Sequence, residues 1–99
     1  AGHLKGVAFK NGTRHDLTAI FARVEIDQHS DIPVQLGCDL TEHGHVAVDF
    51  FQKTSVAGVF AAGDNTTPLR TVSIAVAAGT KAGVSINKEL ITAQLSQLV

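Results

Sequence analysis

Apolar and polar positions change their spacing along the chain, and the first stretch has the spacing of β-structure. Residues 4–10 and 13–24 are β-compatible runs joined at Asn11-Gly12. That pair is typical of type I′ hairpin turns, whose two central residues both need a positive φ. The unbroken apolar run at residues 19–22 is typical of a strand covered on both faces. The pattern therefore predicts a β-hairpin with a buried second strand.

The middle of the chain is more polar and predicts connections. Residues 25–33 are mostly polar and end in a proline, which indicates a loop or crossover. Residues 34–40 fit a short helical turn or an irregular link, and residues 41–44 fit a turn. Apolar and polar residues then alternate over 45–49, which predicts a half-buried strand.

The last part of the chain predicts a strand, a loop and a long helix. Residues 58–64 form a short apolar strand that ends in Gly63-Asp64. After a polar loop, a helix is predicted from Thr71 or Val72 to the low nineties. Its apolar stripe has helical spacing and consists of Val72, Ala75, Val76, Ala78, Gly79, Ala82, Gly83, Ile86 and Leu90. The expected fold class is α/β, with a strand-rich first half and a strand, a Gly-Asp loop and a long C-terminal helix after it.

Composition and charge narrow the classes of function. The 99 residues are 44% apolar and 17% charged, a balance typical of a folded domain rather than a disordered one. The formal net charge of −1 gives no electrostatic reason to expect nucleic acid as a partner. No apolar run approaches the length of a membrane span, and the start has no signal-peptide pattern. We therefore expect a soluble, cytoplasmic protein with neither nucleic acid nor a membrane as partner.

The sequence lacks the residues that several kinds of functional site require. One cysteine, Cys38, excludes an internal disulfide and a multi-cysteine zinc site, and without a neighbouring base it is expected to be a small, partly buried residue. His43 and His45 have no further ligand at zinc-like spacing, so we expect an exposed turn and no metal site. The adjacent His, Ser and Asp at 29–31 cannot adopt the geometry of a catalytic triad. Gly-rich nucleotide loops are missing as well.

Gly63, Asp64 and the start of the helix together offer groups suited to binding a polyol. Glycine lets a ligand approach the backbone closely, and a carboxylate accepts hydrogen bonds from sugar-like hydroxyls. A helix that begins near Val72 offers free N–H groups and the positive end of its dipole. The residues alone leave an alternative open, in which the aspartate only caps a turn.

Residues 54–64, Thr-Ser-Val-Ala-Gly-Val-Phe-Ala-Ala-Gly-Asp, resemble the second flavin-binding motif of flavoproteins with two dinucleotide-binding domains. The thioredoxin-reductase-like branch is the one that they resemble most. The Arg70-Thr71-Val72 start and the Ala/Gly-rich turns of the predicted helix are similar to the C-terminal helix of that branch. The resemblance implies part of a two-dinucleotide-binding-domain fold and a flavoprotein function.

Site residues follow from the same resemblance. Gly63 and Asp64 match the Gly-Asp of the family, whose aspartate binds the ribityl chain of the flavin. Arg70, Thr71 and Val72 match the helix start, where backbone N–H groups face the pyrimidine edge. A helix N-terminus there stabilises the negative charge that reduced flavin gains. No catalytic residue is assigned.

The resemblance also implies a division of the chain and a role. Residues 1–36 would be a remnant of a pyridine-nucleotide domain, and residues 37–99 the C-terminal FAD-binding segment. In a longer parent protein, with a Gly-rich FAD loop near its start, hydride would pass from NAD(P)H through FAD to an acceptor. This chain alone is not expected to turn over.

Two kinds of partner are expected, and a second function remains open. The partners are the missing N-terminal flavoprotein portion and further copies of the chain, because apolar patches and open strand edges favour self-association. The alternative function is a non-catalytic assembly or interaction domain without flavin.

Overall fold

The computed structural model describes residues 2–98 of the chain. It has a mixed α/β architecture with four regular elements. The elements are β1 (Gly6–Ala8), β2 (Arg14–Asp16), α1 (Ile32–Gln35) and α2 (Val72–Gln97). A loop-rich body lies between α1 and α2 and contains Val46, the largest fully buried side chain. Neither helix combines the length and apolar character needed to cross a membrane.

The predicted hairpin is confirmed in shorter form. β1 and β2 are antiparallel, and Val7 lies opposite His15. The type I′ turn is wrong, because Gly12 has a φ of 88° while Asn11 is not among the residues with positive φ. Phe9 donates its N–H to the carbonyl oxygen of Thr13 at 2.8 Å and accepts the N–H of Gly12 at 3.0 Å. The connection is therefore a three-residue loop that ends in a left-handed glycine.

The strand-rich first half is not observed. Within residues 2–98 the sheet consists of β1 and β2. Residues 17–24, predicted to continue a strand buried on both faces, have no regular structure, and the side chain of Phe21 is fully exposed at 102%. An apolar run marks a surface that favours burial. It does not supply the hydrogen-bonding neighbour that a strand requires.

The two later strands are reduced to single bridges for the same reason. The predicted strand at 45–49 pairs only through Val46 with Leu40, and the predicted strand at 58–64 pairs only through Phe60 with Lys53. Both segments are held mainly by loop hydrogen bonds. Cys38 is buried, which agrees with its assignment as a small packing residue.

Helix α2 begins where the sequence predicts and ends later. Thr71 is the N-cap, and its Oγ1 accepts a hydrogen bond from the N–H of Ile74 at 3.2 Å. The residues of α2 that are buried are Ala78, Ala82 and Ser85, which share one helical face. The predicted stripe is correct at the two alanines, but much of the rest of it is exposed, because the body covers a narrower strip of the helix than the stripe occupies.

Two charged contacts fix α2 to the loop-rich body. The Lys81 ammonium lies 4.4 Å from the ring centroid of Phe50, a cation–π geometry. Lys53 and Glu89 form an ion pair, and the hydrogen bond that the Lys53 ammonium donates to the Glu89 carboxylate raises the pKa of Lys53 above its ordinary value. The body and the helix are therefore joined by these two contacts as well as by the buried alanines.

The raised pKa of Lys53 gives a prediction about alkaline pH. A pKa raised on folding contributes stability below the unfolded lysine pKa of about 10.4, and this stability is lost as pH rises through the folded pKa. We expect Glu89→Gln to lower the free energy of unfolding at pH 8 and to make no difference at strongly alkaline pH. Urea unfolding at both pH values measures this, with the exposed Glu25→Gln as the matched control. A Glu89→Gln effect that persisted at high pH would contradict the assignment.

Candidate functional site

The motif at residues 54–64 is a loop fixed by its own threonine. The Oγ1 of Thr54 donates to the carbonyl oxygen of Val59 at 2.8 Å and accepts the N–H of Val56 at 3.2 Å. The Thr54 N–H also donates to Val59, at 3.0 Å. Gly58 has a φ of 81°, which allows the chain to turn between these contacts. The Thr and the first Gly of the motif thus have local structural roles.

Gln52 holds the end of the same loop and was not singled out from the sequence. It is 5% exposed and has a φ of 65°. Its Nε2 donates to the carbonyl oxygen of Ala61 at 2.9 Å, and its own carbonyl oxygen accepts the N–H of Ala61 at 3.0 Å. The signal available in the sequence was Asp49, whose Oδ1 accepts N–H groups from Phe51 and Lys53 in a side-chain-stabilised turn.

We expect Gln52→Gly to destabilise the protein by up to about 2 kcal/mol, because the part-buried carbonyl of Ala61 loses its amide partner. Glycine retains the positive φ and relieves the cost of about 1 kcal/mol that a residue with a Cβ pays there, so the measured loss is a lower limit for the side-chain hydrogen bond. Gln52→Asn keeps an amide and tolerates this backbone conformation, and it should lose less. Chemical unfolding of the three proteins measures the difference. A Gln52→Gly protein that is more stable than wild type by about 1 kcal/mol would show that the amide contributes nothing.

The Gly63-Asp64 turn presents bare backbone and a free carboxylate. Gly63 has a φ of 98°, and a Cβ added to it would meet no atom within 4 Å. Its carbonyl oxygen accepts the N–H and the Oγ1 of Thr66 at 3.0 and 2.7 Å. Asp64 is exposed, and its carboxylate has no hydrogen bond or ion pair among residues 2–98. Thr66 therefore caps this turn, and Asp64 does not.

The next residue ties the turn to the core. The carbonyl oxygen of Asn65 accepts the N–H of Val46 at 2.8 Å and the Nε2 of Gln28 at 3.1 Å. Gln28 also donates to the carbonyl oxygen of Gly44 at 3.0 Å. Gln28 lies in the polar stretch read as a crossover, and no spacing in the sequence points to its role. The position of Asp64 is thus set by contacts from distant parts of the chain.

The start of α2 presents two free backbone donors. The N–H groups of Arg70 and Thr71 donate to the carbonyl oxygens of Pro68 and Leu69, at 3.1 and 3.2 Å. Within residues 2–98 no acceptor meets the N–H of Val72 or Ser73. The predicted cofactor contacts of Arg70, Thr71 and Val72 stay a prediction, and Ser73 is a further donor that the sequence did not indicate.

Arg70 lies in a cleft together with residues to which the sequence analysis assigned no ligand. The cleft has a volume of about 860 Å³ and is also lined by Arg23, His43 and His45, a size suited to a small-molecule ligand. Gly63 and Asp64 do not line it. The expectation of two exposed imidazoles is wrong for His45, which is 5% exposed and whose Nε2 has no hydrogen-bond partner among residues 2–98. Gly44, with a φ of 84°, turns the chain between the exposed His43 and this buried side chain.

Residues 1–79 match the family model for pyridine nucleotide-disulphide oxidoreductase. The match covers most of the chain, which therefore belongs to the pyridine nucleotide-disulphide oxidoreductase family. Within that class it is similar to the thioredoxin reductase sirT of Leptosphaeria maculans, with 36% identity over 91 residues. The alignment covers 91% of this chain and 28% of that relative. The resemblance drawn from residues 54–64 to a thioredoxin-reductase-like flavoprotein is confirmed.

Proposed function

We propose that the chain is the C-terminal FAD-binding portion of a thioredoxin-reductase-like oxidoreductase. In this proposal hydride passes from NAD(P)H through FAD to an acceptor. The observation that carries it is the Gly63-Asp64 turn. This turn ends a motif typical of flavin binding and presents open backbone and an unpaired carboxylate. The family membership supports a redox function of the parent protein.

The residues present fit a flavin at this turn. The carboxylate of Asp64 would accept hydrogen bonds from ribityl hydroxyls, and Gly63 would leave room for the chain of the cofactor. The free N–H groups of Val72 and Ser73, with the helix dipole behind them, would lie toward the electron-rich edge of the ring. The guanidinium of Arg70 would add positive charge nearby. Bound FAD would supply the hydride-accepting chemistry.

The proposed division is a pyridine-nucleotide remnant at residues 1–36 and a FAD-binding segment at residues 37–99. It is supported by the packing of the elements, since within residues 2–98 no contact joins the hairpin to α2. Val46 and α2, by contrast, both lie in the second part. Asp64 can hold only the ribityl part of FAD. The adenine and pyrophosphate therefore require the N-terminal portion, and we propose that the chain alone has no turnover.

The test is the cofactor content of the longer protein that contains this segment. After reconstitution with FAD and gel filtration, heat-released flavin should be equimolar with protein. A protein that remained free of flavin would contradict the proposal. It would favour the alternative of an interaction domain without cofactor.

A further inference from the structure

Two polar side-chain atoms are enclosed in the loop-rich body without a hydrogen-bond partner. They are Nε2 of His45 and Oδ1 of Asn65, and within residues 2–98 no other enclosed side-chain nitrogen or oxygen lacks a partner. Leaving such a group unpaired costs more free energy than the hydrogen bond itself contributes, so nearly all buried polar groups in folded proteins are paired. These two atoms therefore point to an interaction of their own.

The partner of each atom has to come from inside this chain. Both atoms are closed off from solvent by the residues around them. A cofactor, a second copy of the chain or the missing N-terminal portion would contact the outer surface, and neither atom belongs to that surface. The available partners are therefore the other atom of the pair, or a water molecule enclosed with both.

The two atoms are chemically complementary. A neutral imidazole carries a proton on one ring nitrogen, so Nε2 can be a donor, and a carboxamide oxygen is an acceptor. The backbone of His45 is already bonded on both sides. Its N–H donates to Oγ1 of Thr41 at 3.2 Å, and its carbonyl oxygen accepts the N–H of Thr41 at 2.7 Å. The ring is therefore the part of His45 that is left to pair with Asn65.

Hydrogen bonds bring the two residues to the same place. Val46, the residue after His45, donates its N–H to the carbonyl oxygen of Asn65 at 2.8 Å. The residue before it is held there too, because Nε2 of Gln28 donates to the carbonyl oxygens of Gly44 and Asn65 at 3.0 and 3.1 Å. His45 is thus bracketed by two residues that are held at Asn65, and both side chains start from the same part of the body.

The same pair lies between the groups proposed to contact flavin. Asn65 directly follows Asp64. The ring of His45 forms part of the wall of the cleft that also contains Arg70. A hydrogen bond between the ring and the carboxamide would therefore fix the Gly63-Asp64 turn relative to that wall.

We propose that the Nε2–H of His45 donates to Oδ1 of Asn65, directly after a side-chain rotation or through one enclosed water, and that this bond holds the Gly63-Asp64 turn in place. His45 is then a positioning residue for Asp64 and does not itself contact the cofactor. The consequence for flavin rests on the proposed function, whereas the hydrogen bond does not depend on it.

A double-mutant cycle tests the hydrogen bond. His45→Asn keeps an amide but places its nitrogen short of the position of Nε2, and Asn65→Ala removes the carboxamide while keeping the backbone contacts. Each single variant leaves the other atom enclosed without a partner, so each should lower the ratio of folded to unfolded protein by about tenfold in urea unfolding. The double variant should lose no more than either single variant, because the two changes remove one interaction.

The exposed neighbour His43 provides the matched control for this cycle. His43→Asn combined with Asn65→Ala should give additive effects on stability, because residues without a shared interaction behave independently. Additive losses for His45→Asn and Asn65→Ala would overturn the proposal.

NMR spectra of the unaltered chain test the same bond without a substitution. The His45 ring signals are those that are missing from His45→Asn. A cross-peak from the Nε2 proton to the Asn65 side chain would identify a direct hydrogen bond, and one to a long-lived water would identify the bridged form. Both results support the proposal. An Nε2 without a proton, or a proton with neither cross-peak, would contradict it.

Amide exchange tests whether the bond holds the turn. In His45→Gln the amide nitrogen lies the same number of bonds from Cα as Nε2 does, so this variant can keep the donor that His45→Asn loses. Exchange at Thr66, whose N–H donates to Gly63, should accelerate by roughly tenfold in His45→Asn and much less in His45→Gln. Exchange at Ala75, in the first turn of α2, where fraying governs the rate, should stay unchanged. An unchanged rate at Thr66, or an equal increase at Ala75, would overturn the positioning role.

The FAD affinity of the longer protein tests the consequence for Asp64. His45→Asn should bind FAD several-fold more weakly than His45→Gln does. Affinity is measured on folded protein, so a loss of stability alone does not produce this difference. Equal affinities of the two variants would count against a positioning role for His45. If the wild-type protein held no flavin, the proposed function would fail, and the exchange rate at Thr66 would still decide this inference.

Discussion

Asp64→Ala should lower the FAD affinity of the full-length protein by roughly tenfold to hundredfold. The carboxylate of Asp64 has no partner among residues 2–98, so its removal leaves no group of the chain unsatisfied. The loss would come from one charge-assisted hydrogen bond to a ribityl hydroxyl, worth about 1.5–3 kcal/mol. The measurement is the flavin-to-protein ratio after gel filtration, together with titration of the apoprotein with FAD.

Two further variants make the result specific. Asp64→Asn keeps an acceptor without the charge and should lose less affinity than Asp64→Ala. His43→Ala alters an exposed side chain on another turn and should keep full flavin content. Unchanged affinity in Asp64→Ala, or a loss in His43→Ala, would show that the site lies elsewhere.

Gly63→Val should be as harmful by two separate routes. The φ of 98° at Gly63 is a conformation that a β-branched residue rarely adopts, and forcing it costs about 1–3 kcal/mol of stability. The open space in front of the glycine means that no atom of the chain is displaced. If the cofactor occupies that space, the branched side chain also excludes it, and flavin content falls further than stability alone predicts.

Gly12→Val separates the two routes. Gly12 has a similar φ of 88°, and a Cβ added there also meets nothing within 4 Å, but it lies in the β1–β2 loop. Both valine variants should lower the free energy of unfolding. Only Gly63→Val should lose flavin when both are measured below their unfolding temperatures. A comparable loss of flavin in Gly12→Val would attribute the whole effect to stability.

Local patterns predicted the parts of the fold that depend on local interactions. The Asn11-Gly12 turn and the Thr71 cap are set by neighbours in sequence, and both the hairpin and the start of α2 were found. The predicted strands at 45–49 and 58–64 depend on pairing partners that an apolar pattern cannot reveal. His45 was misassigned for a similar reason, because its burial follows from a positive φ at Gly44 and from contacts made by the body.

The residues of the candidate site differ in the same way in how well the sequence reveals them. Gly63 and Asp64 could be found because the motif that contains them is contiguous. Gln28 and Gln52 could not, since each acts through an amide on a carbonyl 9 to 37 residues away. A glutamine has no periodicity that marks such a role. Residues that hold a site in place are therefore harder to recognise from sequence than residues that touch a ligand.

The Gln28 amide determines how the first part of the chain is attached to the rest. Hydrogen bonds between residues 2–31 and residues 38–98 come only from this one side chain, to Gly44 and Asn65. The rest of the attachment is the covalent chain and the walls of the cleft, where residues 22–26 lie with Glu42, His43 and Pro68. Loss of the Gln28 amide would leave the carbonyl oxygen of Asn65, next to Asp64, with a single hydrogen bond among residues 2–98, the one from the N–H of Val46.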